Sequence, residues 1–473
     1  MVILMITLFL VGYTFIALEH TVRINKAASA LLLASLLWAI YIFHAQTYLP
    51  GTLEFSNYLN EHKALSHFSL AENVVQFVTG VQIIEHVGDV AEIIFFLMGA
   101  MTIVELIDVH GGFSIITDRI TTKEKKKLLW ILSFITFFMS AILDNLTTTI
   151  VMVMLLRKLV ANFKERWLFC CAIILAANSG GAFSPIGDVT TIMLWVKGNV
   201  TTSHLIPNLI VPSLLSTLVP IFIISRLLKG KLTLRAKNMA ATTGLHASQY
   251  ITEKERKTIF IFGVGCLIFV PIFKSITHLP PFLGVLLGLG ALWVYTEIMY
   301  HHKKHVPESA KARISVVLGR IDFTTILFFL GILMAVSALQ CAGVLHSLSI
   351  FLQEEVGNIY VINIFIGVLS SIVDNVPLVA GAMGMYDIAH AGCPPELIPF
   401  MQDGTFWMFL AYCAGVGGSI LIIGSAAGVV VMGLEKIDFL WYFKNISLLA
   451  FTGYICGALF FIIQEELIFP LLN

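Results

Sequence analysis

The chain has 473 residues, 58% of them hydrophobic and only 12% charged, with 29 Lys and Arg against 29 Asp and Glu and a mean hydropathy of +0.90. A soluble protein carries about twice that charged fraction, and zero net charge leaves no basic footprint for nucleic acid. The composition is that of an all-α polytopic membrane protein and excludes a soluble domain of any size.

The N-terminal run MVILMITLFLVGYTFIAL has no charged start and no A-x-A cleavage site before Glu19, so it reads as an uncleaved first span, about 2–18. Crossings follow at 28–45 and 90–108. The segment between them, 46–89, has Lys63 as its one Lys or Arg and is placed outside. Its later part, LAENVVQFVTGVQIIEHV, is amphipathic and is expected on the membrane surface. Glu105, Asp108 and His110 fall at the inner interface, while Glu92 is deep enough for a proton path.

The apolar stretch 128–156 differs from these crossings. Basic segments flank it on both sides, Asp118–Lys127 (DRITTKEKKK) and Arg157–Arg166 (RKLVANFKER), and both are expected in the cytoplasm. A run that begins and ends on one face, with Asp144-Asn145 and three Thr at its middle, is a re-entrant helical hairpin. Irregular backbone at that depth is tolerated only inside protein or beside water.

Crossings at 167–197 and 206–228 come next, then a cytoplasmic linker at 229–257, then crossings at 258–276, 281–300 and 321–340. The loop HHKKHVPESAKAR (His301–Arg313) is cytoplasmic; His301, His302 and His305 in it read as a solvated surface rather than a metal cluster. A second hairpin is expected at 359–386. Its flanks, 341–358 and 387–405, hold no Lys or Arg, so it enters from outside, and Pro377 breaks the helix near its tip. Crossings at 406–433 and 440–463 complete the chain. Cys170, Cys171, Cys266, Cys341, Cys413 and Cys456 sit in or beside spans as small packing residues without metal-ligand spacing.

The chain therefore divides into halves, 1–228 and 258–473, each with three crossings, a hairpin, a broken crossing and a last crossing. FFLMGAM (Phe95–Met101) matches FFLGILM (Phe328–Met334), and SAILDNLTTT (140–149) matches SSIVDNVPLV (370–379). NSGGAFSPIGD (178–188) matches AGVGGSILIIGS (414–425). Five crossings per half make the second half inverted, the recurring plan of secondary transporters.

A carboxylate at bilayer depth costs about 2.5–3.5 kcal/mol on insertion scales and is kept where it faces a cavity or an ion path. Asp144, Asn145, Thr147 and Thr148 supply the oxygen ligands that hard cations take. Gly and Pro in the stretch Asn178, Ser179, Gly181, Ser184, Gly187 and Asp188 unwind the helix and free backbone carbonyls. Together they are expected to form one cation site. A mirror site uses Asp374, Asn375, Gly418, Ser419, Gly424 and Ser425. The halves differ, since Ser425 stands where the first has Asp188 and Pro377 where it has Thr147. Asp144 and Asp188 are thus expected to dominate. Desolvation raises a carboxylate's pKa, so competition between H⁺ and Na⁺ for one acid suffices for exchange. The structural alternatives are that Asp-Asn caps a helix at each tip and that the Gly pairs bring helices close.

DNLTTTIVM, NSGGAFSPIGD and the second DN motif resemble the NhaD-type sodium/proton antiporters, of the ion transporter superfamily that includes arsenite permeases and citrate and dicarboxylate carriers. The resemblance runs from about Glu92 to Gly433. It implies two hairpins in inverted repeats, a homodimer with a scaffold and a moving transport domain, and exchange of Na⁺ or Li⁺ for H⁺. Na⁺ would be held at Asp144, Asn145, Asp188, Asp374 and Asn375, with no cofactor, in a bacterial inner membrane. The carboxylate carriers of the superfamily have Ser-Asn-Thr at their tips; this chain has Asp at both. Two tip carboxylates repel an anion, which makes an arsenite or organic-anion carrier the second reading. An intramembrane protease is disfavoured: Pro185–Asp188 lacks the first Gly of GxGD, and NSGG is not a GxSG motif. Opposed broken hairpins suit alternating access better than a channel.

Overall fold

The computed structural model describes the chain except for residues 18, 63–67, 118–119, 121, 123, 161, 229, 232–249, 304–305, 308–310, 312 and 473. Among the described residues every regular element is helical, apart from two isolated bridges. Among the described residues eight helices are long and apolar enough to cross a membrane: Lys26–Gly51, Leu70–Val109, Lys125–Leu143, Thr202–Leu227, Glu253–Thr277, Pro281–His302, Phe323–Cys341 and Phe439–Leu471. At 1.5 Å per residue, about 20 apolar residues span the hydrocarbon core. The chain is a multi-pass helical membrane protein.

Four interruptions lie inside the apolar runs. Lys125–Leu143 stops and Asn145–Leu159 begins around Asp144. Phe163–Ala182 and Val189–Val196 flank the Ser184-Pro185 break. Ile359–Ser370 and Asn375–Met385 flank Asp374, and Thr405–Gly417 and Ala426–Glu435 flank the second Gly-rich break. One expectation changes. The amphipathic stretch from Leu70 runs straight into the next crossing, because a π-helical turn at Val78–Gln82 keeps the helix continuous to Val109. The linker expected at 229–257 lies mostly outside the described residues, as do Lys63, His305 and part of the segment before Lys125.

The described chain forms two compact units. Neither follows the sequence halves, since each takes segments from both. The first comprises Met1–Ile94, Asp322–Asn358 and Val376–Asp387. In it Lys26–Tyr48 packs along Phe323–Cys341. A Cβ at Gly331 would press into the Ala30 backbone, so only Gly allows this approach. Asn25 caps the first of these helices, and the Trp38 indole donates to the Met334 carbonyl at 2.9 Å.

The second unit comprises Phe95–Ile321, Ile359–Asn375 and Ile388–Asn473. Its centre is the buried helix Phe163–Ala182, every residue of which from Phe169 onward is buried. Lys125–Leu143, Asn145–Leu159, Thr202–Leu227 and Thr405–Gly417 all pack on it. All the candidate ion-binding residues lie in this unit.

Candidate ion-binding site

The first arm, Lys125–Leu143, lies alongside Phe163–Ala182 in the same direction. The Ser140 hydroxyl donates to the Ala177 carbonyl at 2.6 Å, and a Cβ on Gly180 would strike the Phe137 carbonyl. The Ser184 hydroxyl donates to the Ala141 carbonyl, and a Cβ on Gly187 would meet the Ser140 carbonyl at 2.8 Å. The second copy repeats three of these four devices: Ser370 donates to the Ala414 carbonyl at 2.9 Å, Gly417 abuts Gly367, and Gly424 abuts Ser371. The glycines thus bring each break against the arm preceding its Asp-Asn. Gly181 packs on Gly187, and Gly418 on Gly424, so each break folds tightly on itself.

Asp144 sits at the break between Lys125–Leu143 and Asn145–Leu159 with φ +94° and ψ 156°. That region is close to glycine-only, and holding an L residue there costs about 1–3 kcal/mol. Its carboxylate accepts the Thr147 N–H at 2.8 Å and the Thr147 hydroxyl at 2.7 Å. The capping role is therefore real, but it does not account for the residue: Gly would cap nearly as well without the strain. Thr148, one residue on, is fully buried with no hydrogen-bond partner for its hydroxyl, and so is Thr149.

The centre of the site is Asp188, 2% exposed. One carboxylate oxygen accepts the Asn145 amide at 2.9 Å, and the other accepts the Thr190 N–H at 3.1 Å. The Asn375 amide reaches both oxygens at 3.4 Å. Among the described residues no Lys, Arg or His pairs with this carboxylate. Asn178 stands beside it. Its oxygen accepts from Asn145 at 3.2 Å, while its NH₂ donates to the Ser419 and Ser425 hydroxyls at 2.9 and 2.8 Å.

These bonds join what the sequence presents as two sites. Asn145 and Asn375, one from each Asp-Asn, meet at one acid, and Asn178 ties the first break to the second. The inequality of Asp188 and Ser425 explains the outcome, since one carboxylate serves both tips. Asp374 is part-exposed, directly before Asn375. Ser179 faces elsewhere, accepting from Ser216 at 2.8 Å. Thr190 was not singled out in the sequence, although DVTT repeats the acid-then-hydroxyl pattern of DNLTTT. Also unexpected is Glu435, 5% exposed, whose carboxylate pairs with Arg157 and, at 2.9 Å, with Arg166. A lone acid closing an apolar run was its only signal.

The chain matches the family model described as citrate transporter over residues 13–402. It is 42% identical to sodium/proton antiporter 1 of Arabidopsis thaliana over 99% of this chain and 73% of that protein. It is 40% identical to sodium/proton antiporter 2 of the same plant over 99% and 100%. The Na(+)/H(+) antiporter NhaD of Vibrio parahaemolyticus is 31% identical over 78% and 89%. The chain belongs to the NhaD-type sodium/proton antiporter family. The NhaD-type resemblance carried by DNLTTTIVM and NSGGAFSPIGD is thereby borne out, and the chain is a transporter, not an enzyme.

Proposed function

We propose that the protein exchanges Na⁺ for H⁺ across its membrane, with Asp188 as the shared acceptor of cation and proton. The observation that carries this is a buried carboxylate met by two tip amides and no cationic side chain. An unpaired buried charge costs several kcal/mol, so this acid takes up a proton or a metal cation. The Asn145 and Asn375 NH₂ groups donate to this carboxylate. Turning either amide over offers its oxygen instead, and with Asp188, Asp144 and the Thr148 hydroxyl that makes an all-oxygen set for Na⁺ or Li⁺.

Two features support the hairpin reading of 128–156. Lys125 pairs with Glu165 at 3.0 Å, and Arg157 shares Glu435 with Arg166, so the outer ends of both arms meet the start of the same helix. Inverted halves at 1–228 and 258–473, a second hairpin at 359–386, alternating access and a homodimer complete the proposal. The bacterial inner membrane expected from the sequence fits the Vibrio relative; the two plant relatives, at higher identity, do not carry it.

The family description favours one competitor, a citrate carrier, but an anion at this site would face Asp188 with no cationic partner. Proteoliposomes carrying a pH dye test the choice. Added Na⁺ is expected to collapse an imposed pH gradient, with no uptake of labelled citrate. Citrate uptake without Na⁺-driven dequenching would refute the exchanger.

A further inference from the structure

The second unit holds an apolar cavity of about 370 Å³ lined by none of the ion-site residues. Phe134, Phe138 and Ile142 of the first arm form one wall, Phe260 and Val264 of Glu253–Thr277 the other, and Ile116 closes it. Phe134 and Phe138 are 40% and 49% exposed, so the cavity is a groove open along its length. It extends to Leu143, next to Asp144. From Phe134 to Leu143 is nine residues, about 14 Å of helix, which matches the roughly 15 Å depth of one leaflet's hydrocarbon.

Both walls carry a cation below the groove. Lys127 precedes Phe134 by seven residues, two turns along the same face, and Arg256 precedes Phe260 by four. The Arg256 guanidinium donates to the Ser114 hydroxyl at 3.1 Å, and its Nε is buried with no hydrogen-bond partner. Among the described residues no carboxylate pairs with Arg256 or with the exposed Lys127. Lys127 lies in the first turn of Lys125–Leu143 and Arg256 in the first turn of Glu253–Thr277, so each cation stands at the start of its wall.

We propose that this groove holds an acyl chain of an anionic phospholipid, with its phosphate between Lys127 and Arg256. The inference rests on the hairpin reading above, which gives these cations to the cytoplasmic side, where anionic lipids concentrate. A zwitterionic headgroup neutralises its own phosphate; an anionic one leaves it for Arg256. The seated chain presses on Leu143 and so supports the tip at Asp144.

The test is binding of dioleoyl phosphatidylglycerol and dioleoyl phosphatidylcholine to the purified full-length chain, read by native mass spectrometry. Each surface cation is worth about fivefold in affinity, so Lys127→Gln with Arg256→Gln is expected to weaken phosphatidylglycerol binding about 25-fold and to leave phosphatidylcholine unchanged. Val264→Trp fills the groove and is expected to abolish both; if it does not fold, the short-chain dihexanoyl phosphatidylglycerol, expected not to bind, replaces it. Equal affinity for the two lipids, an unchanged double variant, or displacement by inorganic phosphate would overturn the assignment. Binding is read without transport. A protein that prefers phosphatidylglycerol but exchanges no Na⁺ sinks the exchanger reading alone.

Discussion

Replacing Asp144 by Gly separates a capping role from an ion-binding one. At φ +94° the wild-type residue pays about 1–3 kcal/mol of backbone strain, which Gly relieves. Against this, Gly adds about 0.5–1 kcal/mol of unfolded-state entropy and loses a few tenths as a cap. The net change lies between about zero and 2 kcal/mol in favour of the variant. For a chain of this length that is at most about 2 °C in melting midpoint per kcal/mol. Asp144→Gly is therefore expected to melt at or slightly above wild type in detergent, yet to lose Na⁺-driven dequenching in proteoliposomes. Asp144→Asn, which keeps the cap and carries the same backbone strain, is expected to be equally inactive. Full exchange by either variant refutes an ionic role for Asp144, and a large drop in the Gly variant's midpoint refutes the strain.

Asp188→Asn and Asp188→Ser, which copies Ser425, both remove the exchanged proton's acceptor and are expected to abolish Na⁺-driven dequenching while the protein still inserts and melts near wild type; exchange retained in either would remove Asp188 from the centre. Gly180→Ala and Gly417→Ala force a Cβ into the Phe137 and Gly367 carbonyls, and overpacking of this kind costs about 1–3 kcal/mol, readable as lowered midpoints in both. His110 follows the crossing that ends at Val109, with Nδ1 donating to the Leu106 carbonyl at 2.7 Å and Nε2 accepting the Tyr300 hydroxyl at 3.0 Å. Burial holds its pKa below 6.5; the Leu106 carbonyl opposes this, Lys303 adds to it and Glu255 opposes it. The unfolded chain thus binds the proton more readily, so this contribution is present above about pH 6.5 and is lost as pH falls below it. Acidification to about pH 5.5 should lower the wild-type midpoint more than that of His110→Gln; equal shifts would remove His110 as the cause.

The sequence alone determined the class and the breaks. Apolar run length located seven of the ten expected crossings, and Asp-Asn inside such runs, with a Gly pair in the next, located all four interruptions. Those signals are local, because an apolar helix needs only its own residues to satisfy its backbone. Only the tertiary structure decided which groups meet which acid. That Asn375 reaches Asp188 and Asn178 reaches Ser425 depends on packing between segments 187 and 247 residues apart. Asp144's left-handed backbone and the Glu435 pair with Arg157 and Arg166 are likewise products of packing. The mirror pattern in the sequence implies two sites of unequal strength; folding brings the Asn of both Asp-Asn pairs onto one carboxylate, because Ser425 offers no second charge.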